Sequence, residues 1–176
     1  MKSKSIPIKN YILKYGLLCG IATIIFNFLT YLSGNYTKQN LFHVTIFLLI
    51  TSSSVILGMI MFKKANDNYI NLREALKIGI AIAVIGGFLT ILWKILLIKV
   101  IDPEIITQLE DKQIKLIAEN SANFTQENIE KQIAITRKYS SPIIQIGANI
   151  LENLLVGTVF GLIGGLIIRK KRDPFN

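Results

Sequence analysis

Long apolar runs alternate with short polar breaks along the chain. Four of these runs reach the ~20 residues that an α-helix needs to cross a hydrocarbon core of about 30 Å. The first covers about 11–33 and ends at Ser33-Gly34-Asn35, a turn signal. The second covers about 42–62 and is stopped by Lys63-Lys64. For the third, about 72–101, Asn71 followed by Glu74 reads as an N-cap pair, and the run becomes fully apolar at Ile78. Asp102-Pro103 closes it, since proline cannot continue the hydrogen-bond ladder and disfavours helix at the residue before it. The fourth, about 141–168, opens with Ser141 as cap and Pro142 at the first helical position.

Between the third and fourth runs, about 102–140, the pattern changes to amphipathic. Asp102-Pro103-Glu104 makes a helix start with a capping carboxylate. Ile105, Ile106, Leu109, Gln113, Leu116 and Ile117 then recur at helical spacing. After the break at Asn120-Ser121-Ala122-Asn123, Thr125 caps a second helix and Phe124 staples onto Ile129. A helical hairpin is expected, serving either as a lid over the ends of the spans or as a docking surface for a partner. Asn35-Tyr36-Thr37 and Asn123-Phe124-Thr125 fit the glycosylation acceptor pattern, which is too short to be informative.

Small and polar residues fall on one face of each apolar run. In lipid, helices associate through such faces, because burying more apolar surface gains nothing over the acyl chains. The first run has Gly16, Gly20, Thr23, Asn27 and Thr30, and the second has Thr51, Ser54 and Gly58. The third has Gly79, Ala83, Gly86, Gly87, Thr90 and Lys94. The fourth carries Gln145, Asn149, Asn153, Gly157, Gly161 and Gly165. Gly16, Gly20, Gly157, Gly161 and Gly165 are the expected helix-packing positions. Lys94 and Glu152 are the only ionisable residues well inside the runs. A lone charge at that depth costs several kcal/mol, so the two are expected to pair within a polar cluster with Asn27, Asn149 and Asn153. That cluster is either an ion pair fixing helix order or a proton-linked or solute-binding site open to the outer side; the alternative to pairing is that Lys94 snorkels to the interface beside Trp93 and leaves Glu152 unpaired and protonated.

Composition agrees with lipid as the solvent. Of 176 residues, 51% are hydrophobic and only 18% charged, against about 25% charged in a soluble domain. The whole chain, 1–176, therefore reads as a single all-α domain: a polytopic four-transmembrane-helix bundle with an outer helical hairpin between helices 3 and 4. The net charge of +9 is a matter of topology and not of nucleic acid. Twelve basic residues flank one side: Lys2, Lys4, Lys9 and Lys14, then Lys63, Lys64, Arg73 and Lys77, then Arg169, Lys170, Lys171 and Arg172. The other side has Lys38 and a nearly neutral 99–141 segment. Both termini are therefore expected in the cytoplasm of a multi-pass bacterial inner-membrane protein.

One Cys and one His exclude an intrachain disulfide, a CxxC pair and a zinc cage of Cys and His. Cys19 reads as a small buried hydrophobe and His43 as a polar anchor at an interface. No HExxH, GxSxG, P-loop or dinucleotide fingerprint occurs, so no catalytic, cofactor or metal residues are expected and the chain is read as a non-enzyme.

Several elements occur in a telling order: Lys14-Tyr15-Gly16, Phe62-Lys63-Lys64, Leu72-Arg73-Glu74-Ala75-Leu76-Lys77-Ile78-Gly79, Asp102-Pro103, Thr125-Gln126-Glu127-Asn128-Ile129, and a glycine-rich fourth span with a basic tail. In this order and spacing, over nearly the whole chain, the sequence resembles the bacterial membrane family filed as domain of unknown function 4199. The resemblance implies a four-span inner-membrane protein and brings no reaction, cofactor or catalytic residue with it. Two roles are expected in turn: an accessory or scaffold subunit of an envelope complex, and a small transporter or channel-like protein using the Lys94 and Glu152 region. Partners would be the lipid bilayer and either another membrane protein or further copies of the chain.

Overall fold

The computed structural model describes residues 7–36, 41–119 and 125–170. Over these the chain forms six α-helices: α1 Ile8–Leu32, α2 Leu41–Ala65, α3 Leu72–Leu96, α4 Ile105–Glu119, α5 Gln126–Tyr139 and α6 Pro142–Ile168. A π-helical turn, Leu97–Ile101, extends α3. No β-strand occurs among the described residues, only an isolated bridge between Ile70 and Lys170. α1, α2, α3 with its π turn, and α6 are each long and apolar enough to cross a membrane.

Local chemistry accounts for the helix ends. Asn71 and Glu74 form a reciprocal capping box, each side chain bonding the other's backbone N–H at 2.9 Å. Pro142 opens α6, where its missing N–H costs nothing. Thr125 and Ser141 occupy N-cap positions without a side-chain cap bond. Asp102 precedes α4, and its backbone carbonyl accepts from the Ile105 N–H at 3.2 Å. Its carboxylate accepts from Tyr31 Oη at 3.4 Å, tying the end of α1 to the start of α4. The break at 120–123 and the Phe124 staple lie outside the described residues.

α3 is central. It packs most extensively on α6 and α1, while α2 touches α1, α3 and α6. Near the α2–α3 loop this packing is dense. Ile12, Tyr15, Val55, Met59, Phe62, Ile78 and Ile82 form a buried core there, and Tyr11 sets its ring edge-on to Phe62 at 5.7 Å. Backbones of α3 and α6 meet through glycine: a Cβ on Gly79 would stand 2.6 Å from Gly161 Cα and 2.7 Å from the Gly157 carbonyl oxygen. The end of α6 is pinned as well. Lys63 Nζ donates to the Ile168 carbonyl at 2.8 Å, and Ile70 and Lys170 exchange backbone bonds of 3.1 and 3.0 Å.

Toward the α4–α5 end the packing loosens. Every buried residue of α2 lies from Thr51 onward, so its first ten residues contribute none. Here a smaller cluster of Trp93, Leu97 and Ile105 seats α4 on the end of α3. α4 and α5 lie against each other, joined by an Arg137–Glu110 ion pair of 3.4 Å. Large apolar side chains, among them Leu18, Ile21, Ile25, Leu29, Phe88, Leu155 and Ile163, stand exposed around the long helices. Lipid is the solvent in which such a surface is stable.

Candidate functional site

In the looser half, helices α1, α2, α3 and α6 line an open cavity of about 280 Å³. α1 lines it with Thr23, Phe26, Asn27 and Thr30, and α2 with His43, Val44 and Phe47. α3 brings Thr90, Trp93 and Lys94, α6 brings Asn149 and Glu152, and Tyr36 closes one end. The helical spacing of the polar residues puts them on one face of each helix.

The hydroxyl protons are already committed. Thr23, Thr30 and Thr90 donate to the carbonyls of Cys19, Phe26 and Gly86 at 2.9, 2.8 and 3.0 Å, so within the cavity their oxygens are left to accept. Asn149 Oδ1 accepts from Asn153 Nδ2 at 3.1 Å, which leaves the Asn149 amide N–H groups available. The Trp93 indole N–H is buried with no acceptor among the described residues. Tyr36 lies outside the long helices, and burial raises its hydroxyl above the ordinary pKa, so it remains a neutral donor. His43 sits between the rings of Phe26 and Phe42, at 5.8 and 5.9 Å.

The structure brings Asn27, Lys94, Asn149 and Glu152 to one cavity. Asn153 sits behind them, buried against Gly87. The ion pair expected between Lys94 and Glu152 is absent: no salt bridge within 4.0 Å joins them. Lys94 Nζ donates instead to Gln145 Oε1, and Gln145 Nε2 in turn donates to the Ser140 carbonyl at 3.2 Å. Glu152 is exposed to the cavity, and among the described residues no hydrogen bond or ion pair reaches its carboxylate. Gln145, one turn before Asn149 on the same ridge, is the positioning residue the sequence reading left out of the cluster. Its membership in that ridge was the available signal.

The expected packing glycines lie elsewhere. Gly16 and Gly20 face Ile85 and Leu89 of α3, and Gly157, Gly161 and Gly165 face α3 between Leu72 and Ala83. Cys19 is buried against Gly86.

Four apolar helices of spanning length, with an apolar exterior and a polar seam inside, are the make-up of a multi-pass membrane protein. A family model described as "Protein of unknown function (DUF4199)" matches residues 14–170, and the chain belongs to that family. Comparison with the curated proteins and with solved structures finds no match.

Proposed function

We propose that the protein is a non-enzymatic four-span bundle of the bacterial inner membrane with cytoplasmic termini, and that its outer half holds a binding site for a small polar ligand. Of the two expected roles this is the transporter-like or channel-like one. The observation that carries it is the cavity of about 280 Å³, where α1, α3 and α6 bring Asn27, Lys94, Asn149 and Glu152 to one volume. The buried Trp93 indole N–H at its wall has no acceptor among the described residues, and such a group is costly unless water or a ligand meets it. The basic residues around the α2–α3 loop and the C-terminal tail support cytoplasmic placement of that end. The cavity then opens on the outer side.

Cysteine labelling tests this. In a Cys19→Ser background, Asn149→Cys is expected to react with a membrane-impermeant maleimide added from outside intact cells, whereas Val55→Cys, at a fully buried position of the closed half, is expected to stay unreactive. A folded protein whose position 149 is silent from both sides would overturn the reading.

One feature favours the accessory-subunit role as a second reading. Helices α4 and α5 meet the long helices only near their ends, and of their described side chains only Ile105 is buried. A stoichiometric partner retained in mild detergent, and lost when 105–139 is replaced by a short polar linker, is the result that role requires.

A further inference from the structure

The cavity wall carries one basic and one acidic side chain, Lys94 and Glu152, with no ion pair between them, and their positions are fixed differently. Lys94 is tethered by a relay from the Ser140 carbonyl through the Gln145 amide, so its ammonium is held near the outer end of α6 with further N–H donors to spare. Glu152 lies seven residues farther along the same helix face, two turns inward, and its carboxylate has no protein partner among the described residues. By helix rise the two anchor points on α6 are about 10 Å apart along the axis.

We infer that the cavity binds a short zwitterion, its anionic end on the Lys94 ammonium and its ammonium end on the Glu152 carboxylate. This rests on the reading of the cavity as a ligand site. A purely anionic ligand would leave Glu152 facing a like charge, and a purely cationic one would do the same to Lys94. In a cavity walled by apolar helices either mismatch is expensive. The aromatic rings of Phe26, Phe47 and Trp93 are also wall residues, and ring faces attract an ammonium. The volume equals that of about nine waters at ~30 Å³ each, which suits a group the size of phosphoethanolamine.

Two sources present this chemistry: a free zwitterionic solute and the headgroup of an ethanolamine phospholipid. One feature favours the lipid. A second, apolar cavity of about 150 Å³ lies between α3 and α6, lined by Val84, Phe88, Ile91 and Ile150, and Asn149 belongs to both walls. Phe88 and Ile150 are exposed on the outer surface of the helices, so an acyl chain could lie there while the headgroup occupies the polar cavity.

Trp93 is the only tryptophan of the chain and a cavity wall, so its fluorescence reports occupancy directly. The purified full-length protein in detergent is titrated with short-chain phosphatidylethanolamine, short-chain phosphatidylglycerol, free phosphoethanolamine and ethyl phosphate. Saturable changes are expected with the two ethanolamine compounds, at least tenfold tighter than with their partners lacking the ammonium. Glu152→Gln should remove that tenfold preference, weakening the ethanolamine compounds while ethyl phosphate, relieved of a like charge, binds at least as well as before. Lys94→Gln should weaken all four. Phosphatidylethanolamine binding more tightly than phosphoethanolamine identifies a lipid headgroup; equal affinity identifies a free solute. Either form of the proposal fails if ethyl phosphate binds as well as phosphoethanolamine, or if Glu152→Gln leaves the preference intact. Should no probe change the fluorescence while Asn149→Cys still labels from outside, the zwitterion is wrong and the ligand site stands. A silent position 149 would remove the site itself.

Discussion

The two halves of the long helices solve the same problem in opposite ways. Near the α2–α3 loop, small residues let backbones touch: Gly79 lies against Gly157 and Gly161, Gly165 against Ala75, and α2 buries Thr51, Val55, Gly58, Met59 and Phe62. Near α4 and α5 the same helices carry amides, hydroxyls and two charges on the corresponding faces, and they stand apart around a cavity. Apolar burial gives helices in lipid little reason to associate, so the glycine contacts must supply most of the cohesion. The closed half can therefore hold the helices while the open half keeps its polar groups free for a ligand. Stability should depend on one half and binding on the other.

The largest effect is expected where a side chain would collide with backbone. A Cβ at Gly79 meets Gly161 Cα at 2.6 Å, and neither helix can yield without separating from the other. Gly79→Val should therefore cost about 3 kcal/mol or more, the upper range of overpacking, and show as a loss of folded protein on thermal melting in detergent. Gly147, with nothing within 4 Å of its ideal Cβ, is the control in the open half. Gly147→Ala should be neutral or slightly stabilising through helix propensity, within about 1 kcal/mol. Equal losses at both positions would erase the contrast between the halves.

A smaller effect is expected at the capping box, which belongs to the closed half but only to its rim. Asn71→Ala removes the acceptor for the Glu74 N–H and should cost about 1 kcal/mol, without altering ligand titrations read at Trp93. A change in those titrations would mean that the start of α3 is coupled to the cavity two-thirds of a helix away.

Much of this architecture was legible in the sequence because lipid imposes few alternatives. Four apolar runs of spanning length, the Asn71–Glu74 box and Pro142 each point to one local structure, and the same elements appear in the fold. Faces could be read from helical spacing alone. Which residue on one face meets which on the next depends on the axial offset between helices, and spacing does not encode that offset. Lys94 had Gln145, Asn149 and Glu152 as acceptors along one ridge of α6; the offset of α3 against α6 selects Gln145. The absence of fully buried side chains over the first ten residues of α2 has no local signature, since its hydropathy is continuous along the helix. Nor does the π turn at Leu97–Ile101, which extends the third apolar run to its expected end with one wider coil.

The smallest stability change is expected at the residue whose chemistry looks most consequential, and it separates the two meanings of the polar cluster. If Glu152 held helix order through an ion pair, removing its charge would strand a buried partner at a cost of about 3–5 kcal/mol. The geometry says otherwise: the carboxylate is exposed to the cavity, lacks a protein partner among the described residues, and Lys94 is already satisfied by Gln145. Glutamine keeps the shape and removes only the cost of holding a charge beside apolar walls. Glu152→Gln should accordingly leave the thermal stability of the ligand-free protein within about 0.5 kcal/mol of the parent. A loss above about 2 kcal/mol would return the cluster to a structural role and make the open half a weaker copy of the closed one. An unchanged melting curve, measured on the same preparation that loses its preference for the ethanolamine headgroup, would assign the charge to binding alone.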